Sequence, residues 1–168
     1  LQALAKEIGP NVKVGTPREA AAFGEVVLVS VPYGATPQVG RDYAPELKGK
    51  VVLDTGNPYP SRDGEMAVRD RKRGTGVASA EYLPGTRLVR AFNAINAGPL
   101  ANEAFRKPER IGIPLASDDP QAMKIASRGD FSVRLSLMFK ELTPHDDVNQ
   151  ILGMLAAGLK QSLGDQLV

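Results

Sequence analysis

Glu25-Val26-Val27-Leu28-Val29-Ser30-Val31-Pro32-Tyr33 is the stretch on which the fold turns. From Val26 to Val29 every side chain is apolar and three of the four are β-branched, so the segment reads as a strand. Successive apolar residues point to opposite faces, so both faces must be covered, as in a parallel sheet flanked by helices. The sequence on either side repeats that logic. Upstream, Leu1, Leu4, Ala5 and Ile8 carry helical spacing up to Gly9-Pro10, and Val12–Val14 predicts a short strand. Thr16-Pro17-Arg18-Glu19 places an N-cap, a proline at the first helical position and a glutamate three residues on, a capping box opening a helix to about Phe23.

Downstream, Thr36-Pro37 predicts a helix to about Leu47 by the same cap-and-proline chemistry, weakened by Gly40 and Pro45, and Lys50–Asp54 predicts the next strand. Gly56, Pro58, Pro60 and Gly64 mark Thr55–Gly64 as loop. Helices are expected at Glu65–Arg73, Ser79–Leu83 and Pro99–Phe105, strands at Leu88–Phe92 and Ile111–Leu115, and a helix capped by Asp119-Pro120 to about Ser127. This alternation predicts an α/β fold with a doubly wound, mostly parallel sheet. Near Arg128 the character changes. Phe131, Val133, Leu135, Leu137 and Phe139 alternate with polar or flexible residues, predicting a strand with one wet face. Thr143-Pro144 then opens a helix with Val148, Ile151, Leu152, Leu155, Leu159 and Leu163 on one stripe. Two units are therefore expected: 1–127, the sheet domain, and 128–168, a small strand-helix unit whose apolar face needs the main sheet or a second chain, with a homodimer the favoured assembly. The chain opens inside a helix without an initiator Met, which leads us to expect a piece of a longer protein.

Composition narrows the chemistry. The 168 residues are 42% hydrophobic and 24% charged, a globular balance, and 21 Lys plus Arg against 19 Asp plus Glu give only +2, too little to imply a polyanion partner. Without Cys there are no disulfides, thiolate metal sites or Cys nucleophiles. The single His145 makes a zinc site or a Ser–His–Asp triad improbable chemistry. No apolar run approaches the roughly 20 residues of a membrane span, and no signal peptide opens the chain, so a cytoplasmic protein is expected. The basic run Arg69, Arg71, Lys72 and Arg73 is interrupted by Asp70 and reads as a solvated helix face rather than a nucleic-acid site. Arg128-Gly129-Asp130 spells an adhesion tripeptide of little weight in this context.

In a doubly wound parallel sheet, ligands bind beyond the carboxyl ends of the strands. The residues there are Ser30-Val31-Pro32-Tyr33-Gly34, Asp54-Thr55-Gly56-Asn57-Pro58, Asn93-Ala94 and Ala116-Ser117-Asp118-Asp119. Any one of these loops alone reads more readily as an ordinary turn. Four in succession on one edge read as a cleft for a flat ligand. Asp54 and Asn57 are candidates to hold a ribose or a carboxamide, and no Lys or His lies in these loops to act as acid or base. An edge without proton-transfer groups fits hydride transfer between two bound redox cofactors better than hydrolysis. No catalytic side chain and no metal ligand is therefore assigned.

The blocks Val26–Tyr33, Val51-Val52-Leu53-Asp54-Thr55-Gly56-Asn57-Pro58 and Leu88-Val89-Arg90-Ala91-Phe92-Asn93-Ala94-Ile95 resemble, in order and spacing, the middle of the coenzyme F420-dependent NADP oxidoreductase family. The resemblance covers about residues 1–127. It implies a Rossmann domain binding NADP(H), with coenzyme F420 or a similar acceptor as co-substrate. It further implies that Ser30, Val31 and Pro32 border the nucleotide, that Asn57 and Pro58 line the redox cleft, and that Asn93, Ala94 and Ile95 lie beside the nicotinamide. The family opens with a strand, a Gly-rich turn and a helix, a first βαβ unit that would precede Leu1. The internal Gly74-Thr75-Gly76 follows Arg71-Lys72-Arg73 rather than a strand, and Ser79 stands where a third glycine would be. Weak NADPH binding is thus expected of the chain as written. Two other readings stay open: another Rossmann reductase using an acid such as Lys124, and a degenerate, non-catalytic Rossmann module that self-associates.

Overall fold

The computed structural model describes residues 1–103, 112–128 and 135–139. By internal contacts the chain falls into two compact units, one made of Leu1–Gly15, Ile95–Ile113 and Glu141–Val168, the other of Thr16–Ala94 and Pro114–Lys140. In the first unit the described elements are the helices α1 (Gln2–Ile8) and α6 (Ala97–Glu103). The expected strand at Val12–Val14 is absent; its backbone is irregular, with Val12 N–H bonded only locally to the Gly9 carbonyl at 3.2 Å. Three residues beside Gly and Pro offer too short a ladder to hold without a neighbour.

The second unit carries the sheet. Its strands are β1 (Val26–Ser30), β2 (Val51–Asp54), β3 (Arg87–Ala91), β4 (Leu115–Ala116) and β5 (Leu135–Phe139), in the order β4-β3-β2-β1-β5. All neighbours run parallel except β3 and β4. The fold is α/β and Rossmann-like, as the continuous apolar run of β1 requires: Val26–Val29 are buried throughout, between β2 on one side and β5 on the other. Of the alternating stretch near the C-terminus, Leu135–Phe139 pairs with the main sheet, in register against Val26–Ser30. The expected strand at Ile111–Leu115 shrinks to the two residues of β4 and pairs antiparallel, Pro114 having no N–H for a ladder. Residues 143–168, with His145 and the apolar stripe, lie outside the described residues.

Helices connect the strands: α2 (Pro17–Phe23), a 3-10 turn (Tyr33–Ala35), α3 (Thr36–Leu47), α4 (Pro60–Arg73), α5 (Thr75–Tyr82) and α7 (Pro120–Arg128). The capping box forms as expected, with Glu19 N–H donating to Thr16 Oγ1 at 3.2 Å and Thr16 N–H to Glu19 Oε2 at 2.6 Å. Asp119 caps α7 through Oδ1, accepting from Gln121 and Ala122 N–H at 2.9 Å each. Its other oxygen receives Arg87 Nε at 2.7 Å, and the Arg87 bond together with those backbone donors holds the Asp119 carboxyl down at about 2. Core side chains Ala21, Val27, Val29, Val39, Leu47, Val52 and Leu83 pack together from both sheet and helices.

Two expectations about helix starts are corrected. Pro60–Asp63 is not loop but the first turn of α4, because Pro60 sits where its missing N–H costs nothing and Arg62 and Asp63 donate to the Tyr59 carbonyl at 2.9 and 2.7 Å; Gly64, at φ 60°, kinks the helix there. Thr36 does not cap α3. It lies inside the helix, fully buried, and its hydroxyl has no hydrogen-bond partner among the described residues. Thr36→Val is accordingly expected to leave stability unchanged or raise it by up to about 1 kcal/mol, since an unmade hydroxyl bond is removed with little change of shape. Urea denaturation tests this, and a loss of midpoint would show that the hydroxyl is bonded after all.

Candidate functional site at the carboxyl edge of the sheet

Strands β1, β2 and β3 run parallel, so the connections after Ser30, Asp54 and Ala91 emerge on one edge. These connections are bonded to one another. Thr55 N–H donates to the Val29 carbonyl at 3.3 Å, tying the end of β2 to that of β1. Between β2 and β3 the lock is reciprocal. Asn57 Nδ2 donates to the Asn93 carbonyl at 2.8 Å, and Asn93 Nδ2 donates to the Gly56 carbonyl at 3.1 Å. Phe92, just before Asn93, takes φ 63°, a left-handed conformation that a bulky residue adopts only when its surroundings impose it. That turn swings Asn93 back over the β2 connection.

Beneath the lock lies a buried ion pair. Asp54 is 1% exposed; Oδ1 accepts Gly56 N–H at 2.7 Å and Oδ2 accepts Arg90 Nη1 at 2.5 Å. Arg90 also reaches Ser79 Oγ at 3.2 Å and the Gly56 carbonyl at 2.9 Å. Asp54 is therefore not placed to hold a ribose, contrary to expectation: it is buried, with one oxygen on the Gly56 turn and the other on Arg90. Gly56 fits closely here, because a Cβ would meet Asp54 Oδ1 at 3.0 Å and the Tyr33 ring at 3.3 Å, so either neighbour would have to give by a few tenths of an ångström.

Ser30, Val31 and Pro32 are half-buried at the end of β1, where Pro32 O accepts Ala35 N–H at 2.8 Å to form the 3-10 turn. Asn57 and Asn93 are half-buried, Pro58 is buried and Ala94 exposed. The structure thus brings the β2 and β3 connections into direct contact and ties the end of β1 to them. Ile95, half-buried, begins a segment of the other compact unit.

A second cluster escapes sequence reading. Asp70, fully buried on α4, accepts Tyr82 OH at 2.7 Å, Arg69 Nε at 3.0 Å and Tyr33 OH at 3.2 Å. Burial works to raise the Asp70 carboxyl, but the three donors outweigh it and hold it below the usual range. Burial, and then Asp70 itself, pushes the Tyr33 phenol well up. Seven residues earlier, Asp63 accepts Gly34 N–H at 3.1 Å and Tyr59 N–H at 3.0 Å. Asp63 and Asp70 of α4 therefore both brace loops of the carboxyl edge. In sequence Asp70 is only one acid in a basic run, and Tyr33 lies 37 residues away, so no local spacing could have revealed them.

The phosphate-binding options within this unit are limited. At the start of α3, Ala35 and Thr36 N–H are spent on the 3-10 turn and Pro37 has none. Gly74-Thr75-Gly76 joins α4 to α5 rather than following a strand, and Gly74 N-caps α5. In the basic run, Arg69 pairs with Asp70 and Arg73 with Glu81, which leaves Arg71 and Lys72 exposed on α4. Among the described residues, no cluster of three or more His, Cys, Asp or Glu could hold a metal ion, and no helix is long and apolar enough to cross a membrane.

Residues 1–58 match the family model "NADP oxidoreductase coenzyme F420-dependent". The F420-dependent NADP reductase of Methanothermobacter marburgensis is 35% identical over 122 residues, covering 70% of this chain and 54% of that protein. That of Methanothermobacter thermautotrophicus is 31% identical over 122 residues, covering 70% of this chain and 52% of that protein. The chain thus spans about half the length of these relatives. A solved structure of a candidate F420-dependent NADP-reductase from Arthrobacter sp. FB24 superposes with a TM-score of 0.52 at 15% identity, over 89% of this chain and 69% of that one, a likeness of fold.

Proposed function

We propose, for a chain whose residues 1–58 belong to the coenzyme F420-dependent NADP oxidoreductase family, that its carboxyl edge positions a nicotinamide for hydride exchange with a deazaflavin-type acceptor. The observation that carries this is the reciprocal Asn57–Asn93 lock. It fixes two strand-end connections as one rigid margin, built from small side chains and backbone rather than from acids and bases. The ionisable groups beside it are matched to each other, Asp54 with Arg90 and Asp63 with Arg62. Such an edge can orient flat rings and exclude water but has no group committed to proton transfer, as suits a reaction in which NADP(H) and its acceptor supply the hydride chemistry.

In this reading Ser30, Val31 and Pro32 border the nucleotide, Asn57 and Pro58 line the cleft, and Asn93 and Ala94 lie beside the nicotinamide. The same reading takes the protein as cytoplasmic and as a homodimer. The test is a fluorescence titration with NADPH. Asn93→Ala, which removes the Asn93 side-chain half of the lock and leaves Asn57 bonded to the residue-93 carbonyl, is expected to weaken binding about tenfold, the scale of one lost charge-free hydrogen-bonding group plus loosened geometry. Arg71→Ala on the exposed face of α4 is the control and should change nothing. Equal affinity in the two variants would remove the edge from the binding site.

A further inference from the structure

Tyr59 follows Asn57-Pro58 on the β2–α4 connection and keeps half of its surface, 50%, open to solvent. A loop tyrosine so exposed ordinarily moves freely, but here the backbone is fixed and the ring is flanked by a cation. Its N–H donates to Asp63 Oδ2 at 3.0 Å, and the Arg62 guanidinium lies 5.1 Å from its ring centroid. Arg62 is itself immobilised, donating to the Asn57 carbonyl at 2.9 Å and through Nε and Nη2 to both Asp63 oxygens at 3.0 and 2.8 Å. The Asp63 side chain is 3% exposed and also receives Gly34 N–H. The ring therefore stands on a scaffold that ties together two connections of the carboxyl edge.

The chemistry of this scaffold selects a class of ligand. Arg62 and Asp63 cancel each other's charge, so the position does not single out an anion. What it offers is a pre-oriented aromatic face beside a cation, which attracts flat rings by stacking. Of the other three tyrosines, Tyr33 is buried and Tyr43 and Tyr82 are half-buried, and the chain has no Trp. We infer that Tyr59, backed by Arg62, is the platform on which the flat heteroaromatic ring of the electron acceptor stacks. This rests on the reading of the edge as a redox site. The acceptor rather than the nicotinamide belongs here because Tyr59 follows the Asn57–Asn93 lock, which the reading above gives to the nicotinamide, and keeps half of its surface open to a second ring. A tricyclic ring also covers more of a tyrosine than a single pyridine does.

The experiment uses the full chain, with 5-deazariboflavin and NADPH titrated separately into wild type, Tyr59→Ala and Tyr59→Phe, and circular dichroism to confirm that each folds. Tyr59→Ala is expected to weaken 5-deazariboflavin about fivefold or more, the lower end of what losing a stacking aromatic costs. Tyr59→Phe should stay within about twofold, since the ring and not the hydroxyl does the stacking, and NADPH affinity should be unchanged in both. Wild-type affinity for 5-deazariboflavin in Tyr59→Ala overturns the inference. So does failure of a chain that binds NADPH to bind 5-deazariboflavin at all, which leaves the nicotinamide reading standing. Tyr59-dependent binding by a chain with no affinity for NADPH would instead keep the platform and remove that reading.

Discussion

Gly40→Ala is expected to destabilise the protein by about 2–3 kcal/mol even though alanine is the better helix former. Gly40 lies within α3, where a Cβ would sit 1.7 Å from the Tyr82 carbonyl oxygen and 2.9 Å from its carbon. Those atoms are backbone at the end of α5, so no side chain can rotate away. Either α3 or α5 must retreat, and the retreat opens the contact that carries Tyr82 toward Asp70. The gain from removing a helical glycine, about 1 kcal/mol, is too small to offset this. For a chain of this size the net loss corresponds to a fall in melting temperature of about 5–10 °C. Gly76, in the first turn of α5, is the control. A Cβ there meets only the Arg90 side chain, at an ordinary 3.9 Å, so Gly76→Ala should match wild type or exceed it by about 0.5 kcal/mol. Equal melting of the two variants would show that the helices do not approach so closely.

The same glycine shows how far sequence reading reaches. That α3 exists was legible from Thr36-Pro37, although Thr36 lies inside the helix rather than capping it, and Gly40 looked like a weakness in it. Its use is a close approach between helices some forty residues apart in sequence, which only packing reveals. The strands were legible because burial on both faces leaves a continuous apolar run that turns cannot imitate: Val26–Val29 and Val51–Leu53 announce themselves. The β2 connection was legible only as irregular. Its glycines and prolines were taken to forbid helix as far as Gly64, whereas Pro60 begins one, since a proline in a first turn and a proline in a loop look alike until the following N–H groups find their acceptor. At the candidate site, convergence of Asn57 and Asn93 could be expected from parallel topology alone. The commitment of Asp54 to Arg90 could not: an acid at a strand end has the same letter whether it faces a ligand or an arginine one strand over.

Asp70→Ala should cost more than any other single substitution considered, about 3–5 kcal/mol, because it leaves the hydroxyls of buried Tyr33 and half-buried Tyr82 without their shared acceptor. Arg69 contributes little of this, since its side chain is 57% exposed and water replaces the carboxylate there. The tyrosines are different. Tyr33 is fully buried and Tyr82 half-buried, so both lose a charge-assisted bond that solvent cannot easily restore. Tyr33→Phe removes one of these bonds and leaves the ring under Gly56, and about 1 kcal/mol is expected. The pH dependence separates the roles. Asp70 is held below its unfolded value, so its contribution is complete above about pH 4 and is lost as the pH falls. Tyr33 is held above its unfolded value, so its contribution is complete below about pH 10 and is lost as the pH rises toward the folded value. The stability gap between wild type and Asp70→Asn should therefore narrow in acid, and that between wild type and Tyr33→Phe should narrow in alkali, in urea melts taken across the range. A gap between wild type and Asp70→Asn that stays constant into acid would mean that the carboxylate charge does not hold these loops. Bracing of the carboxyl edge would then rest on shape alone, with the Tyr33 ring against Gly56 as its main support.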